Sequence, residues 1–307
     1  MSASAKTAVL VVGFGGPASP EEVRPFLDSV TGGARIPEKR IQEVIGHYEA
    51  LGGVSPYNAE AARLVAVLET WLRENGTPLP VGLAFRHSKP SLNDAFARFR
   101  EEKVDRVVVV VLSPLRSRAS FDRYRERVEE AAREESPSIE VAYIEPFHAD
   151  PLLAEALADR IGAVLAEFSA EEPAYFLFSA HSIPAPMDAE SGYAAQFEEL
   201  CRLAAEKAGL KSWGIAYQSR SGNPRDAWLE PDVRKALKKI PRTFSNLVVV
   251  PAGFLCENVE ILYDLDTELK QAAESAGFGY YRVSPVLDHP KFVGLLGRLV
   301  REKTGAE

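Results

Sequence analysis

The sequence predicts an α/β protein of two similar halves, each a parallel sheet covered by helices. Three observations carry this reading. Short β-branched apolar runs alternate with longer amphipathic stretches, the pattern of strands buried on both faces with helices between them. Eight such runs divide into four before and four after residue 150. The third and seventh runs continue alike: VVVVVLSPL enters the helical ASFDRYRERVEEAA, and LVVVPAGFL enters ENVEILYDLDTELKQAA. A diverged internal repeat and a generic strand-loop-helix unit both account for that likeness.

In order, the strands are expected at 8–12, 81–85, 107–112, 141–145, 174–179, 213–217, 247–250 and 280–284. Helical spacing is clearest over 58–74, where Ala62, Val65, Leu68 and Leu72 recur on one face. The expected domains are 1–150 and 151–289, with a C-terminal helix over 290–307 able to pack back on the first. Ligands in such folds sit beyond the carboxyl ends of strands, so the loops after the strands are where chemistry is sought.

Composition narrows the function. A formal net charge of -8 lacks the dense positive surface that nucleic acid requires. The apolar run VVVVVL is far short of the ~20 residues of a membrane-spanning helix. Cys201 and Cys256 have no CxxC spacing, so no disulfide framework or metal-cysteine motif is read from them, and a reducing cytoplasm fits.

Four post-strand loops are rich in polar or turn residues. GFGGP (13–17) fits a dinucleotide fingerprint poorly, because Pro17 lies inside it and no acid-terminated second strand follows at the needed spacing; a tight turn is the plainer reading. FRHSKP (85–90) follows the second strand. SAHSIP (179–184) sets His181 just past a buried strand, where an imidazole can accept protons near neutral pH or ligate a borderline metal. PAGFLCENVE (251–260) leads into a segment where Glu260, Asp264 and Glu268 stand at i, i+4 and i+8. On a helix they form one acidic column, which is either a solvated stripe or a row of hard oxygen ligands for a divalent cation. A further loop, YQSRSGNPRDAWLEPDV, carries Trp228, either an anchor for its own loop or a wall for an aromatic ligand.

Together GFGGP, HYEALGGVSP (47–56), FRH, SAHSIP, YQS with AWLEPDV, and GFLCENVEILYDLDTE occur in an order that resembles the ferrochelatases, from about residue 7 to about residue 300. The resemblance implies two Rossmann-like domains, each a four-stranded parallel sheet, with a porphyrin in the cleft. It implies a metal chelatase inserting Fe2+ into coproporphyrin III or protoporphyrin IX in haem biosynthesis. The alternatives are a cobalt or nickel tetrapyrrole chelatase, or a non-catalytic tetrapyrrole or metal carrier on the same fold. By motif, His181 and Glu260 match the family's catalytic pair, the glutamate facing the histidine across the macrocycle. Asp264 and Glu268 join them as metal-handling residues. Phe14, Tyr48, Ser55, Arg86, Tyr124 and Trp228 match porphyrin-cleft positions. The sequence departs from the family at Glu257 and Asn258, where aspartate and histidine are common, and TGGAR (31–35) lacks a frequent arginine pair. The resemblance further implies a cytoplasmic monomer whose partners are a porphyrin and ferrous iron as substrates. It implies no resident cofactor and no iron-sulfur cluster.

Overall fold

The structure is a computed structural model that describes residues 5–32, 36–168, 172–221 and 226–306. The arginine-poor TGGAR segment falls partly outside the described residues, at 33–35. All eight expected strands form: β1 (Thr7–Gly13), β2 (Val81–Phe85), β3 (Arg106–Val111), β4 (Glu140–Tyr143), β5 (Ala174–His181), β6 (Trp213–Gln218), β7 (Asn246–Val250) and β8 (Gly279–Arg282). They make two parallel four-stranded sheets, ordered β2-β1-β3-β4 and β6-β5-β7-β8, so one topology occurs twice.

The central strands are apolar throughout because both faces are covered. Val9, Leu10 and Val11 of β1, Val107 to Val110 of β3, and Leu247 to Val250 of β7 have no exposed surface. Helices pack on them through their own apolar faces: Leu64, Leu68 and Leu72 of Tyr57–Glu74 are fully buried, one face of an 18-residue helix. Local signals set the helix starts. Ser91 and Asp94 form a reciprocal capping box at Leu92–Glu101, and Asp150 accepts the Leu152 N–H ahead of Pro151.

The chain divides into two compact units: Met1–Leu112, Phe121–Pro146 and Val293–Glu307 in one, Ser113–Ser120 and Phe147–Phe292 in the other. After β3 the chain passes a kinked turn, Arg118–Asp122, where Ser120 leaves helical backbone geometry, and after β7 it enters a π-helix, Ile261–Leu269. The acidic column lies along this π-helix, with Glu260 at its N-terminal edge and Asp264 and Glu268 within it, so the segment is helical as the column requires. The π-helix is anchored by Ile261, Leu265 and Leu269, all fully buried in the core beneath β7. Glu260, Asp264 and Glu268 each precede one of these anchors, which places the acids along the margin of the core.

Candidate functional site

His181 is the last residue of β5, in register with Gln218, the last residue of β6. Its backbone carbonyl accepts the Tyr193 hydroxyl at 3.1 Å. Its Nδ1 lies 2.5 Å from the Ser182 carbonyl oxygen, which can only accept, so Nδ1 carries a hydrogen and Nε2 is the basic nitrogen. Nε2 stands 3.5 Å from Glu260 Oε1. About a third of the imidazole (32%) and half of the Glu260 side chain (48%) remain exposed. Burial acts to lower the His181 pKa, but the Glu260 charge and hydrogen bond, the Ser182 carbonyl and the Asp264 charge together raise it to about 9. At pH 7 the imidazole beside Glu260 is therefore protonated.

His181 and Glu260 are in direct contact, whereas the resemblance implies a glutamate facing the histidine across the macrocycle. A flat ring needs roughly 3.5–4 Å on each face, so about twice the observed separation. His181 ends β5 and Glu260 lies in the segment after β7, so both side chains stand at the strand ends of one sheet.

The residues around Glu260 hold its segment to the strand ends. Gln218 Nε2 donates to the Glu260 carbonyl at 3.2 Å, and Asn258 Oδ1 accepts the Ile261 N–H at 3.0 Å, capping the turn. Asn258 thus has a structural use in place of the histidine common at that position. The preceding loop presses so closely on β5 that a Cβ on Gly253 would lie 2.4 Å from Ala180 Cβ. Glu257, the other departure, pairs at 2.9 Å with Arg282 of β8, which also reaches Asp266 at 2.7 Å.

Along the column each acid has a different environment. The Ser219 hydroxyl donates to Asp264, whose pKa is raised to about 6, by burial first and then by the Glu260 and Glu268 charges, against the lowering effects of the Ser219 bond and His181. Arg234 Nη1 reaches Glu268 at 3.2 Å. Four-residue steps spread the acids along the helix, and no group of three or more His, Cys, Asp or Glu converges as a metal-holding set among the described residues. The structure brings His181 and Glu260 together and leaves Asp264 and Glu268 as successive stations beside them.

Trp228 belongs to the same unit. Backbone bonds from Leu229 to Ile183 and from Ala185 to Ala227 stitch its loop to the SAHSIP turn, and the Ser182 hydroxyl donates to the Leu229 carbonyl. The half-buried indole has no hydrogen-bond partner for its N–H among the described residues.

The other expected porphyrin contacts cluster at the strand ends of the first unit. Phe14 is half-buried, with its ring centroid 4.7 Å from that of His87 and 6.0 Å from that of Phe26. The Arg86 guanidinium lies 5.9 Å from the Phe14 centroid and 5.6 Å from that of Tyr124. Tyr48, Ser55 and Tyr124 are buried. The glycines of GFGGP bend close to this unit's own chain: Gly15 has φ of +87°, and a Cβ there would meet Ser88. His87 is held neutral, since burial first and then Arg86 and Arg127 lower its pKa to about 4.

Sequence reasoning missed Gln218, Ser219, Tyr193 and Arg282. The YQS run at the end of β6 was the available signal for the first two; nothing marked Arg282, whose two partners lie 25 and 16 residues away.

Two parallel sheets of one topology, with a histidine-carboxylate pair at the strand ends of the second, define the class of the chelatase-like α/β proteins. Solved structures agree on the fold. SirB from Bacillus subtilis with Fe3+ matches with a TM-score of 0.62 at 17% identity, over 97% of this chain and 95% of that one. CbiX, the terminal enzyme for biosynthesis of siroheme in denitrifying bacteria, matches with 0.55 at 16%, over 96% and 98%. The chain belongs to the ferrochelatase family, whose model matches residues 6–304. It is 38% identical over 302 residues to a coproporphyrin III ferrochelatase of Mycobacterium bovis, covering 96% of this chain and 85% of the relative. It is 35% identical over 303 residues to a ferrochelatase of Rhodopirellula baltica, covering 96% and 86%. It is thus a metal chelatase, an enzyme that inserts iron into a porphyrin in haem synthesis. No helix among the described residues is long and apolar enough to cross a membrane.

Proposed function

We propose that this ferrochelatase takes coproporphyrin III and that His181 and Glu260 remove its pyrrole protons from one face as a coupled pair. The observation that carries the site is the 3.5 Å contact of His181 Nε2 with Glu260, with Nδ1 tied to the Ser182 carbonyl. The choice of porphyrin is supported by relatives from Mycobacterium and Nocardia, both named coproporphyrin III ferrochelatases.

A free porphyrin carries two pyrrole protons that must leave before a dication can occupy the plane. The protonated imidazole of the ligand-free pair cannot accept one. Fe2+ approaching Glu260 neutralises the carboxylate that keeps His181 protonated, so the imidazole pKa falls and its proton leaves through the exposed part of the ring. Nε2 is then a base that takes one pyrrole proton, sheds it through the exposed part of the ring and takes the second, while the Ser182 carbonyl fixes the ring by holding Nδ1–H. Metal arrival and readiness of the base are thereby coupled. Asp264 and Glu268, as successive oxygen donors, lead the cation toward Glu260. Trp228, stitched to the SAHSIP turn, supplies an aromatic contact for the macrocycle.

The test is an anaerobic absorbance assay offering coproporphyrin III and protoporphyrin IX separately with Fe2+, Co2+ and Zn2+. Turnover fastest with Fe2+ and coproporphyrin III is the expected result, and preference for protoporphyrin IX overturns the substrate assignment. Ordinary turnover by His181→Ala overturns the site.

A further inference from the structure

A cavity in the His181 unit has a chemistry unlike that of the acidic column. It encloses about 720 Å3, within the range of small-molecule pockets, and its buried floor includes Ser182 and Tyr217. Its charged lining is Arg220, Arg234, Lys235, Lys238 and Arg242 against only Glu230 and Asp232, a surplus of three positive charges in a protein of net charge -8. Both carboxylates are already engaged, Glu230 by Lys235 at 2.8 Å and Asp232 by the Arg234 backbone N–H at 2.9 Å. Lys238 has no ion-pair partner among the described residues, and an adjoining depression of about 500 Å3 shares Lys235 and Lys238 and adds Lys239.

We propose that this cavity is a binding site for a compact multivalent oxyanion carrying two or more carboxylate or phosphate groups. Concentrated positive charge in a concave wall draws such an ion in from an otherwise acidic surface. Arginine forks and lysine points together suit planar carboxylates and tetrahedral phosphates alike. The site is also linked to the acidic column, because Arg234 lines the cavity and at the same time reaches Glu268 at 3.2 Å. An anion that recruits Arg234 releases Glu268. If the column conducts iron, as the proposed function holds, the occupant of the cavity controls the availability of Glu268.

The experiment is calorimetric titration of the full-length protein, free of iron and porphyrin, with citrate and with pyrophosphate at constant ionic strength. Saturable one-to-one binding of either is expected, and the tighter of the two identifies the natural group as carboxylate or phosphate. Lys238→Glu should weaken binding about tenfold. Glu268→Gln should tighten it severalfold by freeing Arg234. Absence of saturable binding by both anions in the millimolar range, or an affinity unchanged by Lys238→Glu in a folded variant, overturns the proposal. His181→Ala, which removes the proposed base, should leave anion binding intact. Failure of the iron reading and failure of this site are therefore separately visible.

Discussion

Replacing Glu260 by glutamine removes the charge that holds His181 protonated while keeping the shape of the side chain. The imidazole stands at about 9 against an ordinary value of 6.5, in spite of the burial that acts to lower it. Without Glu260 that burial remains, opposed only by the Ser182 carbonyl and the Asp264 charge, so the pKa should fall by about two units or more, to near or below 6.5. The gap of about 2.5 units corresponds to roughly 3 kcal/mol, which solvent screening at a third-exposed imidazole and a half-exposed carboxylate reduces to about 1–2 kcal/mol. The folded-state pKa is raised, so this contribution is fully present below pH 6.5 and is lost as pH rises through 9. Glu260→Gln should therefore destabilise the protein by about that amount at pH 6 to 7 and leave it unchanged near pH 10. Histidine side-chain NMR over pH 4–11, with His181→Ala assigning the resonance, reads the pKa; urea unfolding at pH 6.5 and pH 10 reads the stability. A His181 resonance that still titrates near pH 9 in the variant would refute the coupling of imidazole to Glu260, and with it the account of metal-triggered deprotonation.

The remaining predictions concern the residues around that pair. His181→Ala should nearly abolish iron insertion while porphyrin binding, followed by fluorescence quenching, stays measurable. Asp264→Ala with Glu268→Ala should raise the iron concentration needed for half-maximal rate; an unchanged dependence would make the column a solvated face. Asp264 is held protonated to about pH 6, above its unfolded value, so its ionisation opposes folding at neutral pH, and Asp264→Asn should stabilise by about 1–2 kcal/mol at pH 7 and by nothing below pH 3.5, measured by urea unfolding. Arg282→Met leaves Glu257 and Asp266 without their shared cation; with Arg282 only 15% exposed, a loss of about 2 kcal/mol is expected in the same assay.

Much of the fold was legible because strands covered on both faces admit only apolar, mostly β-branched residues, and such runs stand out in a chain that is otherwise amphipathic. The duplicated strand-loop-helix pattern also showed in the text of the sequence, through VVVVVLSPL and LVVVPAGFL. The kind of helix that follows β7 did not. A four-residue spacing keeps acids on one face whether a turn holds 3.6 residues or more, so periodicity alone cannot separate α from π. The anchors Ile261, Leu265 and Leu269 have the same spacing, and only their burial beneath β7 fixes where the acids lie.

By itself the sequence determined two four-stranded parallel sheets, the loops worth searching and the spacing of the acidic column, while His181 drew its weight from the SAHSIP motif and its family resemblance. Those are local properties, carried by residue type and spacing. Tertiary structure alone decided that His181 and Glu260 meet at 3.5 Å, that their contact keeps the imidazole charged, and that Asp264 and Glu268 are separately tethered by Ser219 and Arg234. It also decided which cation, Arg282, secures the segment that departs from the family. The reason is geometric: charge coupling depends on distance and burial, and 79 residues of chain separate His181 from Glu260 until β5 and β7 pair and set their loops side by side.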